Sequence, residues 1–179
     1  MLVLDCLIEI QGENRKIKFT YANSIEVNSS IRNLTDTAKV VLPRKMNIKG
    51  QKLNKFIGRG DKITIQAGYK DVDMQTVFKG YITGVSSETP IIIEAENEMW
   101  QLKQAKVEPG RYDKFKLEDF LDEYAPGIEL VMPKNIEFGE VIIKDETTVA
   151  KVLDYLKQNY PFNAFFDDNK TIAFLFFLP

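Results

Sequence analysis

The chain has 179 residues with 24 basic and 26 acidic side chains, a size and charge balance typical of one globular domain or two small ones. The net charge of −2 argues against a nucleic-acid binder or membrane-docking protein that works by bulk positive charge. The chain has no histidine and one cysteine, Cys6, which excludes Ser-His-Asp and Cys-His catalysis, histidine-ligated zinc, intramolecular disulfides and cysteine-rich metal sites.

The first residues are not predicted to form a targeting signal. Residues 1–10 are apolar only in part, because they include Asp5 and Glu9, and no positively charged region precedes them. No segment reaches the ~20 apolar residues that a membrane-spanning helix needs. We therefore expect a soluble chain that is made in the cytoplasm and does not insert into a membrane.

The first hundred residues are predicted to be mostly β-strand. Apolar and polar residues alternate over residues 2–10, which is typical of a strand that is buried on one face. The same pattern recurs at residues 25–31, 38–42 and 62–67, and residues 16–19, 77–85 and 90–95 are also predicted to be strands. Gly80 and Gly84 interrupt one of these segments and indicate a bulge or a bend. Short strands separated by turns favour a sandwich or a closed antiparallel barrel over residues 1–100.

A basic segment separates two of the predicted strands. Residues 44–59 contain Lys45, Lys49, Lys52, Lys55 and Arg59. One interpretation is a solvated connection, and the other is a basic loop that contacts a partner. Both interpretations stay open from the sequence.

Residues 101–179 are predicted to form a smaller α+β unit of two helices and a C-terminal hairpin. The first helix covers residues 117–124 and ends at Pro126-Gly127. The second covers residues 149–156, with Thr147 or Asp145 as its N-cap, and is closed by Pro161. Residues 162–166 and 171–177 form the hairpin around a polar turn.

The acidic residues do not predict a catalytic or metal site. Glu118, Asp119, Asp122 and Glu123 lie opposite the apolar stripe of the first helix, so they are expected to face water, whereas a glycosidase needs two carboxylates that face each other. A second set of acidic residues, Asp71, Asp73 and residues 167–169, falls where hairpin turns are predicted and does not match an EF-hand loop.

Two further candidates for chemistry are also better explained by structure. Residues 58–60, Gly-Arg-Gly, lack the phosphate-loop pattern and precede a strand, so we predict a turn. Cys6 lies on an alternating strand and has no histidine to activate it, so a buried apolar role is favoured. No Ser-x-x-Lys motif occurs in the chain. No catalytic, cofactor-binding or metal site is therefore predicted.

The C-terminal hairpin is unusually rich in phenylalanine. Six of these residues lie close together: Phe162, Phe165, Phe166, Phe174, Phe176 and Phe177. Either the last strand is buried on both faces, or its apolar surface meets another subunit or a further segment. Only Lys170 adds a positive charge here, which argues against an RNA-binding sheet.

The order of these segments resembles the baseplate hub proteins of contractile phage tails, the family of late control protein D and of the hub part of type VI secretion spikes. The resemblance covers about residues 23–177, and the family is usually about twice as long. Five stretches carry it: residues 25–43, ending in VVLP; residues 60–69, GDKITIQAGY; residues 77–85, VFKGYITGV; residues 91–103, IIIEAENEMWQLK; and residues 148–156, TVAKVLDYL.

The resemblance implies a tail-tube-like antiparallel β-barrel followed by a small α+β subdomain, without catalysis or cofactor. It implies a structural ring subunit that adapts the tail tube to the spike, and its partners would be further copies of itself, as in trimers, together with tube, spike and baseplate proteins. Its location would be the bacterial cytoplasm during assembly and then a virion tail or tail-like particle. Two alternatives remain from the sequence: a carboxylate-dependent cell-wall hydrolase of a tail, and an OB-type binding barrel.

Overall fold

The chain is mainly β-structure with a smaller α+β part, as predicted. The structure is a computed structural model that describes residues 4–43, 47–48, 51–53, 56–69, 72–86, 89–131, 137–167 and 171–176. It divides into two compact units, the first made of Met1–Ser29 and Asp36–Asn97 and the second of Ser30–Thr35 and Glu98–Pro179. The boundary placed between residues 100 and 101 stays a prediction.

The first unit is built on one antiparallel sheet. In chain order its strands are β1 (Leu4–Gly12), β2 (Arg15–Phe19), β3 (Ser24–Asn28), β4 (Thr37–Val41), β5 (Asn47–Ile48), β6 (Gln51–Lys52), β7 (Lys62–Tyr69), β8 (Asp73–Val85) and β9 (Ile92–Glu96). Seven of them form a sheet in the order β2-β1-β7-β8-β9-β4-β3, and β5 and β6 pair separately. The predicted strands are thus confirmed, except that β3 ends at Asn28 and residues 29–31 are not part of a strand.

The alternation places one apolar row on the buried face of the sheet. Ile8 of β1 lies opposite Ile65 of β7, and Ile10 lies opposite Ile63. All four side chains are at most 1% exposed. Burial of each such side chain contributes about 1.5–3 kcal/mol, so the period-two pattern fixes which face of the sheet meets the core.

The expectation of a closed barrel is wrong, and the sheet is also not the five-stranded barrel of the OB type. Within the described residues β2 pairs only with β1, and β3 pairs only with β4, so the sheet is open at both ends. Alternation along a strand determines the buried face, whereas closure depends on whether the two end strands meet. Local sequence does not encode that second property.

The predicted irregularity in β8 is confirmed. The register between β8 and β9 shifts between Ile82 and Gly84, where one strand carries an extra residue. A second shift occurs in the pairing of β7 with β8, between Ile65 and Gln66. Such bulges increase the local twist of a strand.

The second unit contains the two predicted helices and the C-terminal hairpin. Its elements are α1 (Met99–Leu102), β10 (Lys106–Val107), β11 (Gly110–Tyr112), α2 (Leu117–Tyr124), β12 (Glu129–Val131), β13 (Val141–Ile143), β14 (Thr147–Thr148), α3 (Val149–Asn159), β15 (Phe162–Phe166) and β16 (Thr171–Phe176). Neither Thr147 nor Asp145 is the N-cap of α3, because Thr147 and Thr148 are extended and pair with β10, which leaves Thr148 at the cap position.

The aromatic C-terminus belongs to a small sheet. β16 is the central strand between β12 and β15, so it is paired along both edges. Phe162, Phe166 and Ile172 are all buried in the core of this unit. This supports the interpretation of a buried last strand as far as Ile172, whereas Phe177 lies outside the described residues. None of the helices in the described part of the chain has the length and apolar composition to span a membrane.

Candidate assembly edges

One open edge of the sheet, β2, presents positive charge. Arg15, Lys16 and Lys18 are exposed on this strand, whereas Phe19 is buried against the core. Alternation of lysine with apolar residues is typical of an edge strand, where charge discourages uncontrolled strand pairing.

Carboxylates on neighbouring elements hold these cations in place. Lys18 and Lys16 both form ion pairs with Glu9 of β1, and the Lys16 Nζ to Glu9 Oε2 distance is 3.0 Å. The pKa of Glu9 is lowered, because hydrogen bonds from Lys18 and then Lys16 favour the charged carboxylate. Arg15 Nη2 lies 3.2 Å from Asp61 Oδ2, just before β7 begins. The positive edge is therefore anchored at three side chains.

The opposite edge strand, β3, has one charged side chain, which is acidic, and its other side chains are neutral. Ser24, Glu26 and Asn28 are exposed, whereas Ile25 and Val27 are half-buried and pack on the core. Glu26 lies opposite Lys39 of β4 in the strand register, and its Oε1 accepts a hydrogen bond of 3.1 Å from Asn28 Nδ2. The two edges of the sheet therefore carry charges of opposite sign.

The sequence identified both strands but did not show that they lie at the edges. The signal for β2 was present in its two exposed lysines on either side of Ile17. The sequence of β3, Ser-Ile-Glu-Val-Asn, does not indicate an edge strand, because it is also compatible with a central strand of a sheet that has one solvent-exposed face.

The acidic residues of α2 lie where the helical pattern placed them. Glu118, Asp119, Asp122 and Glu123 are exposed, and the opposite face of the helix carries buried Phe120 and two buried leucines. Glu118 and Asp119 lie in the first turn, where a negative charge favours the helix dipole. The structure does not bring these carboxylates together in a cleft.

Of the other acidic candidates, Asp73 was expected in a turn but is the first residue of β8, where it lies opposite Tyr69. Asp73 accepts hydrogen bonds of 3.2 and 3.1 Å from Gln75 Nε2 at the start of β8. Asp167 is exposed, while Asp71 and residues 168–169 lie outside the described residues. Among the described side chains, no group of three or more metal-ligating residues comes together.

Residues 58–60 form the predicted turn. Gly60 has a positive φ of 90°, which glycine adopts without strain. The Gly58 amide donates to Asp61 Oδ2 at 2.9 Å, and the Gly60 amide donates to the Ile82 carbonyl at 2.8 Å. These amides are occupied by the protein itself, so they are not directed at a phosphate.

Cys6 is half-buried in β1, which differs in degree from the expected full burial. Its pKa is raised, mainly because burial disfavours the thiolate and also because Asp5 is close. A raised pKa lowers the reactivity of a thiol at neutral pH. In the basic segment, Arg59 is exposed in the turn, whereas Lys45, Lys49 and Lys55 lie outside the described residues.

Comparison with solved structures shows that the chain has the fold of prophage tail proteins. The 43 kDa tail protein of prophage MuSo2 from Shewanella oneidensis is 14% identical, with a TM-score of 0.65 over 95% of this chain and 54% of that one. The tail protein from Neisseria meningitidis MC58 is 11% identical, with a TM-score of 0.61 over 96% of this chain and 51% of that one.

The fold is also found in a chain of the Francisella PdpA–VgrG complex in its lidded form, which is 13% identical with a TM-score of 0.60 over 98% of this chain and 29% of that one. No family model matches the sequence, and no curated protein matches it. The chain spans about half the length of the two tail proteins. The fold implied by the resemblance is thereby confirmed, apart from closure of the barrel.

Proposed function

We propose that this chain is a non-catalytic structural subunit of a phage tail or tail-like injection particle, in a hub or tube-type ring that adapts the tail tube to the spike. One observation carries the proposal: the sheet is open and its edge strands β2 and β3 have opposite charge. The fold shared with prophage tail proteins supports it.

The two edges are suited to head-to-tail contact between copies. If β2 of one copy runs beside β3 of the next, the backbone groups on both edges gain hydrogen-bond partners. The same approach brings Lys16 and Lys18 towards Glu26. A heterologous contact of this kind closes into a ring when the rotation between copies is a whole fraction of a turn, and trimers are one such ring.

Cysteine cross-linking tests this contact. In a cysteine-free background, Lys16→Cys is mixed with one of three partners, Ser24→Cys, Glu26→Cys or Asn28→Cys, which sample the register along the exposed face of β3. Paired positions on neighbouring strands come close enough for a disulfide. We expect one of the three mixtures to form a cross-linked species under oxidising conditions.

A matched control separates edge pairing from random collision. Asp119→Cys is also at an exposed position, but it belongs to α2 of the second unit and not to an edge strand of the sheet. The proposal fails if none of the three β3 positions cross-links to Lys16→Cys more efficiently than Asp119→Cys does. Sedimentation of the unmodified chain over a range of concentrations gives the size of the assembly.

The cell-wall hydrolase alternative has a direct assay. The acidic cluster considered from the sequence, on α2, is exposed and not in a cleft, so no observation on the described residues favours that alternative. We expect no release of soluble fragments when the purified chain is incubated with peptidoglycan. Release that disappears when a pair of carboxylates is replaced would overturn the non-catalytic assignment.

A further inference from the structure

A cleft of about 800 Å³ opens on the second unit. Residues 33–35 of segment Ser30–Thr35, α1 with its C-cap, and one side of α3 border it. Its lining includes the half-buried Leu34 and Ala150 and the buried Met99. Met99 is only 1% exposed, so Leu34 and Ala150 provide the accessible apolar surface of the cleft.

The polar lining of the cleft is mainly basic. Lys103, Lys151 and Lys157 line it together with one acidic residue, Asp154, which gives a local charge of +2 (three lysines minus one aspartate) in a chain whose net charge is −2. Asp154 also accepts a hydrogen bond of 2.8 Å from Gln158 Nε2. The positive charge is therefore a local property of this cleft and not of the chain as a whole.

Lys157 helps to shape the cleft. Its ammonium group donates a hydrogen bond to the carbonyl oxygen of Arg32 and so ties segment Ser30–Thr35 to the last turn of α3. The segment has a turn of its own, in which the Asn33 amide donates to the Ser30 carbonyl at 2.9 Å. Lys151 is exposed in the first turn of α3 and is available to a ligand.

We propose that this cleft binds an acidic peptide segment of another protein, with an apolar side chain against Leu34 and Ala150 and carboxylates at the lysines. Charge complementarity carries the choice of an acidic partner. The described lining includes no arginine and no aromatic ring, the groups on which nucleic-acid bases stack, so a protein segment is favoured over a nucleic acid. None of the lining residues belongs to β2 or β3, so the inference goes beyond the proposed ring contact.

Synthetic peptides provide the test. A fluorescent peptide that repeats Glu-Glu-Leu is titrated with the full chain, beside peptides that repeat Gln-Gln-Leu and Lys-Lys-Leu. We expect the acidic peptide to bind most tightly and its affinity to fall as salt is added, because exposed ion pairs are screened. Equal binding of the Gln-Gln-Leu peptide, or tighter binding of a single-stranded oligonucleotide, would overturn the proposal.

Charge reversal locates the binding site. Lys151→Glu removes one attraction and adds one repulsion, so we expect it to weaken binding of the acidic peptide by about tenfold. Lys114→Glu makes the same charge change at an exposed position that does not line the cleft, and it should leave the affinity within about twofold. Equal affinities of the two variants would refute the cleft as the site, and circular dichroism confirms that both variants are folded. Self-association of the chain that Lys151→Glu abolishes would instead identify a second copy as the occupant and overturn the proposal.

Discussion

Gly80 of β8 lies against the backbone of Glu96, the last residue of β9. A Cβ atom at this position would lie 2.1 Å from the carbonyl oxygen of Glu96 and 2.7 Å from its carbonyl carbon, and both are backbone atoms that move little. We expect Gly80→Ala to lower the free energy of unfolding by about 1–3 kcal/mol, as overpacking does elsewhere. Urea unfolding of the purified variant measures the change.

Gly84 provides the matched control for this prediction. A Cβ atom there would lie 3.6 Å from Oε2 of the Glu94 side chain, which is an ordinary van der Waals distance. Gly84→Ala should therefore change stability by less than about 1 kcal/mol. If Gly80→Ala is as stable as Gly84→Ala, the close approach of β9 is not the reason for the glycine.

The two glycines also show what a single residue in a sequence can reveal. Both interrupt a strand-like segment, and the sequence predicts a bulge or a bend at these positions. The structure assigns the register shift to Gly84 and the close backbone approach to Gly80. The second cause depends on where the neighbouring strand runs, which is not a local property of the sequence around Gly80.

The hairpin of β1 and β2 is stabilised by a pH-dependent ion-pair cluster. In this cluster Lys18 and Lys16 donate hydrogen bonds to the Glu9 carboxylate, and these bonds hold the pKa of Glu9 below the usual value of a glutamate, about 4.3. A carboxyl group with a lowered pKa contributes stability that is present above the unfolded-state pKa and is lost as the pH falls through the folded-state pKa. Glu9→Gln lacks this contribution, so the stability difference between wild type and Glu9→Gln should shrink on acidification below about pH 4.3.

The control for this prediction is Glu13→Gln in the exposed turn between the same two strands. Thermal unfolding at a series of pH values, at low and high salt, gives the two difference curves. The difference in stability between wild type and Glu9→Gln should decrease as the pH falls. It should depend less on pH in high salt, because the lysines that lower the pKa of Glu9 are about half exposed and salt screens their charges. A pH-independent difference for Glu9→Gln would rule out the ion-pair explanation.

The length of a strand or helix decides whether its sequence pattern can be recognised. Strands of five or more residues, such as β7 and β8, show a clear period, and the stripes of α2 and α3 show the helical one. Strands of two or three residues, such as β10 and β14, contain too few positions for any period, so they were not predicted. They matter nonetheless, because pairing of β14 with β10 sets the residue at which α3 begins.

The sequence patterns also do not predict the aromatic packing in the second unit. Phe138 belongs to no strand or helix, yet its ring centroid lies 4.9 Å from that of Tyr160 and 5.8 Å from that of Phe162. Phe115 packs on the same ring at 6.3 Å. A lone phenylalanine in an irregular segment gives no periodic signal, although its burial helps to define the core.

The candidate edges illustrate the limit at the scale of the whole sheet. Strand identity and the buried face followed from alternation, and the open sheet did not, because closure is decided by two strands that are far apart in sequence. The opposite charge of the two edges becomes meaningful only once the strand order is known. For the proposed ring, this means that the sequence predicts β2 and β3 as strands but does not show that they are the two edges of one sheet.

The division into two units leads to a prediction about fragments. The main segment of the second unit begins at Glu98, and Met99 of α1 is 1% exposed in the core of that unit. A fragment of residues 98–179 therefore keeps this side chain, whereas a fragment of residues 101–179 loses it. Loss of a buried methionine costs about 2–5 kcal/mol. We expect the longer fragment to unfold at a higher temperature and to protect more amide hydrogens from exchange.

Both fragments lack segment Ser30–Thr35, so their difference reports on the first residues of the unit, of which Met99 is the deeply buried one. Met99→Ala in the longer fragment should lower its stability towards that of the shorter one, because each removes the same apolar contacts with the core. Leu102 is present in both fragments and holds the rest of α1 against the core. Equal melting temperatures for residues 98–179 and 101–179 would place the functional boundary of the unit after α1 begins, at the position predicted from the sequence.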